Sequence, residues 1–175
     1  MLLTCISIFA SLMLSAAPRI LFDLGNNAKL SRTESTLNSS EDGTLCVTKS
    51  SHAQWGGVFL PKISTHGLSG KEIRVSGRIQ VKSLNSFGLK QPLVSGSIWF
   101  QNDKWGIASD KKRFGSGKFF TLKEAGPEIT FDKTFPVPKN GKYMVIYLNF
   151  GYATGEFTVK DLKVEVVGLV NDVSR

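Results

Sequence analysis

Residues 72–82 read Glu-Ile-Arg-Val-Ser-Gly-Arg-Ile-Gln-Val-Lys, and their alternation decides the fold. Ile73, Val75, Ile79 and Val81 share one face, while Arg74, Arg78, Gln80 and Lys82 share the other. Successive side chains of a strand point to opposite sides, so a period of two predicts a strand with one face buried and one in water. Comparable stretches recur at 19–24, 43–49, 55–60, 93–101, 118–122, 128–135, 143–150 and 156–167, separated by Gly, Pro, Asn and Ser clusters. No helical periodicity stands out after residue 18. An all-β chain of this kind is expected to fold as a β-sandwich of two antiparallel sheets.

Two segments depart from simple alternation. Residues 27–42 are dominated by Ser, Thr and Asn and read as a long surface loop. In 156–167, Phe157 and Val159 are odd-numbered, whereas Leu162, Val164 and Val166 are even-numbered. A regular strand would send those two sets to opposite faces, so the parity is expected to reset near Lys160-Asp161 through a β-bulge.

The remaining composition bounds the function. The chain has 175 residues, 41% of them hydrophobic and 10% aromatic, which excludes an intrinsically disordered tail. Its 22 Lys+Arg against 14 Asp+Glu give a net charge of +8, favouring an acidic partner. Residues 2–17, Leu-Leu-Thr-Cys-Ile-Ser-Ile-Phe-Ala-Ser-Leu-Met-Leu-Ser-Ala-Ala, carry no charge. They fall short of the roughly 20 apolar residues of a membrane span, and they end on small residues. Residues 1–17 are therefore expected to be a signal peptide, although residues 1–4 carry no Lys or Arg; cleavage after Ala16 or Ala17 is open. The alternative is a buried N-terminal helix or strand. Residues 18–175 would then form one secreted domain, extracellular or periplasmic, with Cys46 as its lone cysteine and no internal disulfide.

The usual tools of catalysis are hard to find. His52 and His66 lie in Ser/Thr/Gly-rich sequence, and neither zinc-ligand spacing nor a nucleophile elbow or phosphate loop is present. Gly115-Ser-Gly117 reads as a turn. Binding leaves a clearer trace on the outward faces. With Val94, Ile98 and Phe100 inward, Trp99 and Gln101 stand outward; with Met144, Ile146, Leu148 and Phe150 inward, Tyr147 and Asn149 do. The inverted parity, with Trp99 in the core, is the alternative. Together with Arg74, Arg78 and Gln80, and with Trp105 in the following turn, these residues make a candidate sugar platform. Aromatic rings would cover the apolar face of a sugar, while amides and guanidinium groups bond its hydroxyls or an acidic substituent. Trp55, before Gly56-Gly57, reads instead as core or edge packing.

Three segments in order resemble the jelly-roll, galactose-binding-like carbohydrate-binding modules of secreted polysaccharide-degrading systems. These are Phe22-Asp23, then 58–62 with 70–81, then 148–151 with 155–164. The resemblance implies a two-sheet jelly roll and a structural calcium ion near the sheet edge, held by Asp161 and Asp23. The residues alone allow a plainer reading, with Asp161 bonding in the bulge and Asp23 in a turn. A non-catalytic domain that binds a polysaccharide, an acidic one by its charge, is the expected function. A jelly-roll polysaccharide lyase or glycoside hydrolase is the alternative, and neither a nucleic-acid partner nor a membrane span is expected.

Overall fold

In the computed structural model the described residues are 18–26, 30–33, 36–39, 43–102 and 113–169. The expected strands form, and they sort into two sheets. In chain order the strands are β1 (Arg19–Asp23), β2 (Ser31–Thr33), β3 (Thr36–Ser39), β4 (Thr44–Lys49), β5 (Trp55–Phe59) and β6 (Ile63–Ser64). They continue as β7 (Lys71–Ser86), β8 (Leu93–Gln101), β9 (Arg113–Leu122), β10 (Ile129–Pro136), β11 (Tyr143–Gly151) and β12 (Ala153–Leu169). The first sheet runs β10-β7-β12-β4-β3, with β1 also on β12; the second runs β2-β5-β11-β8-β9, with β6 also on β11. Every pairing is antiparallel, and most connections cross between the sheets, the exceptions among these strands being β3–β4, β5–β6 and β8–β9. The result is the expected jelly-roll sandwich.

Alternation fills the space between the sheets. Ile73, Val75, Ile79 and Phe157 from the first sheet join Ile98, Phe100, Ile146 and Phe150 from the second in one buried cluster. Each such side chain gains about 1.5–3 kcal/mol on leaving water. Phe119, Phe120 and Phe131 close one part of this core with ring centroids 5.1–5.2 Å apart.

The parity reset in β12 is present where it was expected. Lys160 pairs with Arg78 and Lys163 with Ser76, so Asp161 and Leu162 together oppose Gly77. Asp161 adopts φ 52°, and the extra residue lets Phe157, Val159, Leu162 and Val164 all be fully buried. Gly77 permits this crowding. A Cβ there would stand 2.8 Å from the Phe131 ring, 3.1 Å from the Lys160 carbonyl and 3.2 Å from the Leu162 Cα.

The stretch 27–42 needs correcting, because its described part contains two strands. β2 pairs with the edge of β5 and β3 with the edge of β4. An edge strand is recruited by backbone pairing and needs no apolar alternation, which is why polar sequence concealed it. Gly115-Ser-Gly117 likewise lies inside β9 rather than in a turn. Cys46 is a free thiol whose pKa is raised, first by burial and then by Glu156. The expected signal peptide, residues 1–17, lies outside the described residues. No helix among the described residues is long and apolar enough to cross a membrane.

Gly77→Ala tests the crowding at the bulge. The added methyl forces either Phe131 or the β12 backbone to shift, so stability should fall by about 1–3 kcal/mol in urea unfolding. An unchanged midpoint would mean that the bulge tolerates a side chain.

Candidate functional site

The outer face of the second sheet carries a cleft of about 980 Å³. Cross-strand register explains its lining. One row of outward residues is Phe59 on β5, Tyr147 on β11, Ser97 on β8 and Lys118 on β9. A second is Gly57, Asn149, Ser95 and Thr121, and a third begins with Trp55, Gly151 and Leu93. On the other side of the Tyr147 row, Val145 faces Trp99. Same-face rows are two residues apart, about 7 Å along the strand. The cleft thus presents rings at both ends and hydroxyl and amide groups between.

The aromatic side chains support one another. Phe59 and Tyr147 stack with centroids 4.1 Å apart and an interplanar angle of 14°. Trp99 meets Phe59 edge-on at 6.2 Å. Trp99 lies on the outward side, as the chosen parity required, but only 7% of it is exposed. Its indole Nε1 donates to the Gln101 Oε1 at 3.3 Å, so Trp99 and Gln101 brace the floor. Ser95 donates to the Asn149 Oδ1 at 2.8 Å in a buried contact, which fixes the amide.

Trp55 and Phe59 escaped the sequence reading. Trp55 is 46% exposed at the mouth of the cleft, not packed in the core. Inward Val58 and Leu60 supply the parity that sends Phe59, Gly57 and Trp55 outward, and this signal was available. Trp55 lies across Gly151, where a Cβ would come within 2.6 Å of its ring. Tyr152, held at φ 52°, packs beside it with centroids 5.5 Å apart. The Tyr152 hydroxyl receives hydrogen bonds from the Gln54 amide and, at 2.8 Å, from the Lys90 ammonium.

A buried lysine stands behind this corner. Lys49 is 1% exposed, and its Nζ donates to the carbonyls of Ser51 and Ala53 at 2.7 Å and of Ala153 at 2.8 Å. Those carbonyls belong to the turn entering Trp55 and to the residue after Tyr152. Lys49 also sits 5.0 Å from the centre of the Phe87 ring. A charge in apolar surroundings is tolerated when it is this fully bonded.

The basic half of the expected platform lies elsewhere. Arg74, Arg78 and Gln80 are on β7, on the outer face of the first sheet, so they do not join Trp99 and Tyr147. The reason is topological, because β7 and β8 are consecutive in sequence but belong to opposite sheets. These cations are also already partnered. Arg74 grips Asp132 with two bonds of 2.8 and 2.5 Å. Arg78 binds Asp161 and, at 3.0 Å, Glu128, while Lys82 meets Glu156 at 2.7 Å. Trp105 lies outside the described residues.

The pair expected at a calcium ion is similarly occupied. The Asp161 carboxylate accepts from Arg78, and the Asp23 Oδ1 accepts from the Gly25 N–H at 3.0 Å. Among the described residues no three His, Cys, Asp or Glu side chains converge. A calcium ion wants six to eight oxygens, and the Asp161 carboxylate expected to supply one is engaged with Arg78.

No protein-family model matches the chain, and no curated protein matches it. Solved structures share its fold. The xylan-binding CBM22-1 domain of Paenibacillus barcinonensis Xyn10C is similar over 87% of this chain and 97% of that domain, with 11% identity and a TM-score of 0.51. The tandem CBM22-1–CBM22-2 unit of the same protein matches over 90% of this chain and 47% of its own, with 10% identity and a TM-score of 0.57. The enzymatically active domain of bacteriophage CBA120 tailspike protein 4 matches over 82% of this chain, with 12% identity and a TM-score of 0.59. This chain spans 20% of that tailspike chain. The likeness establishes a jelly roll of the kind found in carbohydrate-binding modules.

Two measurements probe these contacts. Lys49→Met leaves three carbonyls without their donor and should cost about 2–4 kcal/mol in urea unfolding; an unchanged midpoint would deny the clamp. Asp132 and Glu156 are held below the usual carboxylate range, chiefly by hydrogen bonds from Arg74 and Lys82. Such groups stabilise the fold above their unfolded value of about 4 and cease to do so as pH falls through the lower folded value. The thermal midpoint should therefore drop on acidification below about pH 4, and Asp132→Asn with Glu156→Gln should flatten that drop.

Proposed function

We propose that the protein binds a polysaccharide chain in the cleft over its second sheet. The observation that carries this reading is the alignment of Trp55, Phe59 and Tyr147 with Ser95, Ser97 and Asn149 on one outer face. Ring faces cover the C–H surfaces of a sugar, and the intervening hydroxyl and amide groups match its hydroxyls. Most of the cleft is made before any ligand enters, since the Asn149 amide and the Phe59–Tyr147 pair are held by their neighbours. The shared fold with a xylan-binding domain supports the reading.

Binding fits the lining better than turnover. The described side chains there are chiefly aromatic, hydroxyl and amide, whereas a hydrolase would need paired carboxylates at the sugar. We place the protein outside the cell, where such polymers lie, on the strength of the uncharged segment 2–17. An acidic chain cannot be read by Arg74 or Arg78 from the far side of the sandwich.

Affinity electrophoresis through gels containing soluble polysaccharides tests the proposal. The wild type should be retarded by at least one polymer. Trp55→Ala and Tyr147→Ala should each weaken retention about tenfold, the loss expected for one aromatic contact of about 1.4 kcal/mol. Equal retention of wild type and variants would remove the cleft from the account, and no retention on any polymer would remove the function.

A further inference from the structure

The fold treats its two outer faces differently. On the outer face of the first sheet four cations are matched by carboxylates: Arg74 by Asp132, Arg78 by Asp161 and Glu128, Lys82 by Glu156, and Lys160 by Glu128 at 3.4 Å. Around the cleft the opposite holds. Among the described residues, neither Lys118 nor Lys90 makes an ion pair, and both are exposed.

Their positions are set by the same register that sets the rings. Lys118 closes the row Phe59–Tyr147–Ser97 and lines the cleft directly. Lys90 belongs to the other end. Its Nζ lies 4.5 Å from the centre of the Tyr152 ring, itself 5.5 Å from that of Trp55, so the ammonium is no more than about 10 Å from the indole centre. The Tyr147 row and the Trp55 row are four residues apart, about 13 Å along the strands. Each lysine ammonium has three donors; on Lys90 one is given to Tyr152, leaving two and the full charge. Tyr152 itself is a non-glycine residue in the left-handed region, a strained geometry of the sort that persists where a site needs it.

We propose that Lys90 and Lys118 form two anion-reading positions flanking the aromatic cleft, which select polysaccharides carrying carboxylate or sulfate groups over neutral ones. The proposal rests on the cleft being the polysaccharide site and adds the class of polymer it takes. At Lys90 the sugar ring would lie against Trp55 while its anionic substituent meets the ammonium. At Lys118 the substituent would approach from the β9 side.

Titration calorimetry on the full chain with four polymers tests this: polygalacturonate, its methyl ester, dextran sulfate and neutral xylan. The wild type should bind at least one acidic polymer about tenfold or more tightly than the methyl ester and xylan, and the preference should shrink as salt rises from about 0.05 to 0.5 M. Lys90→Met with Lys118→Met should bring the acidic-to-neutral ratio close to one. Arg74→Met with Arg78→Met, on the far face, should leave the ratio in place. Preference for polygalacturonate alone assigns the positions to carboxylates, and preference for dextran sulfate alone assigns them to sulfates. A wild type that binds xylan with no acidic preference, or a preference that survives the double lysine variant, overturns the proposal and leaves the cleft reading standing. Failure to bind any of the four overturns both.

Discussion

The pairing of β12 with β7, with the bulge at Asp161-Leu162 near its middle, is the constraint on which the sandwich depends. Without the extra residue, either Phe157 and Val159 or Leu162 and Val164 would face water, at a cost on the order of 5 kcal/mol. The bulge also divides the far edge of β12. β4 pairs with residues 155–160 and β1 with residues 163–166, so two different strands take successive parts of one edge on either side of it. One inserted residue therefore keeps the core continuous, turns Asp161 out to Arg78 and separates two neighbours that would otherwise compete for the same backbone groups.

The two outer faces carry unlike chemistry because β7 and β8, consecutive in the chain, belong to opposite sheets. The basic side of β7 finds its counter-charges on β10 and β12, its neighbours in the same sheet. Exposed pairs of this kind add little to stability, but they make that surface electrically quiet. On the second sheet β5, β11 and β8 lie side by side, and their outward residues are rings and small polar groups rather than charges. Among the described residues, ion pairs thus offset Arg74, Arg78, Lys82 and Lys160 on one face, while Lys118 and Lys90 stand exposed beside the other.

Much of the fold was legible because strand alternation is a local property. The 72–82 stretch, the bulge at Asp161 and the outward parity of Trp99 and Tyr147 all follow from counting residues. What escaped was non-local. No local pattern says that β7 and β8 sit in opposite sheets, so Arg78 and Trp99 looked like neighbours when they are on opposite faces. β2 and β3 are held by the edges they join rather than by their own pattern. The burial of Lys49 depends on carbonyls as far away as Ala153, and nothing near residue 49 announces it. Trp55 was a different kind of miss, since the parity of Val58 and Leu60 already sent it outward.

That buried ammonium has a consequence for how the cleft works in time. To swing away, the turn carrying Trp55 must either strand a charge in an apolar interior or drag Lys49 out through it. Both are costly, so Lys49 ties the turn before Trp55 to the start of β12. A rim already ordered before a ligand arrives has little entropy left to surrender, where each side chain immobilised on binding would otherwise cost about 0.5–1.5 kcal/mol. On the proposed function, Lys49 would favour binding at Trp55 without itself touching the ligand.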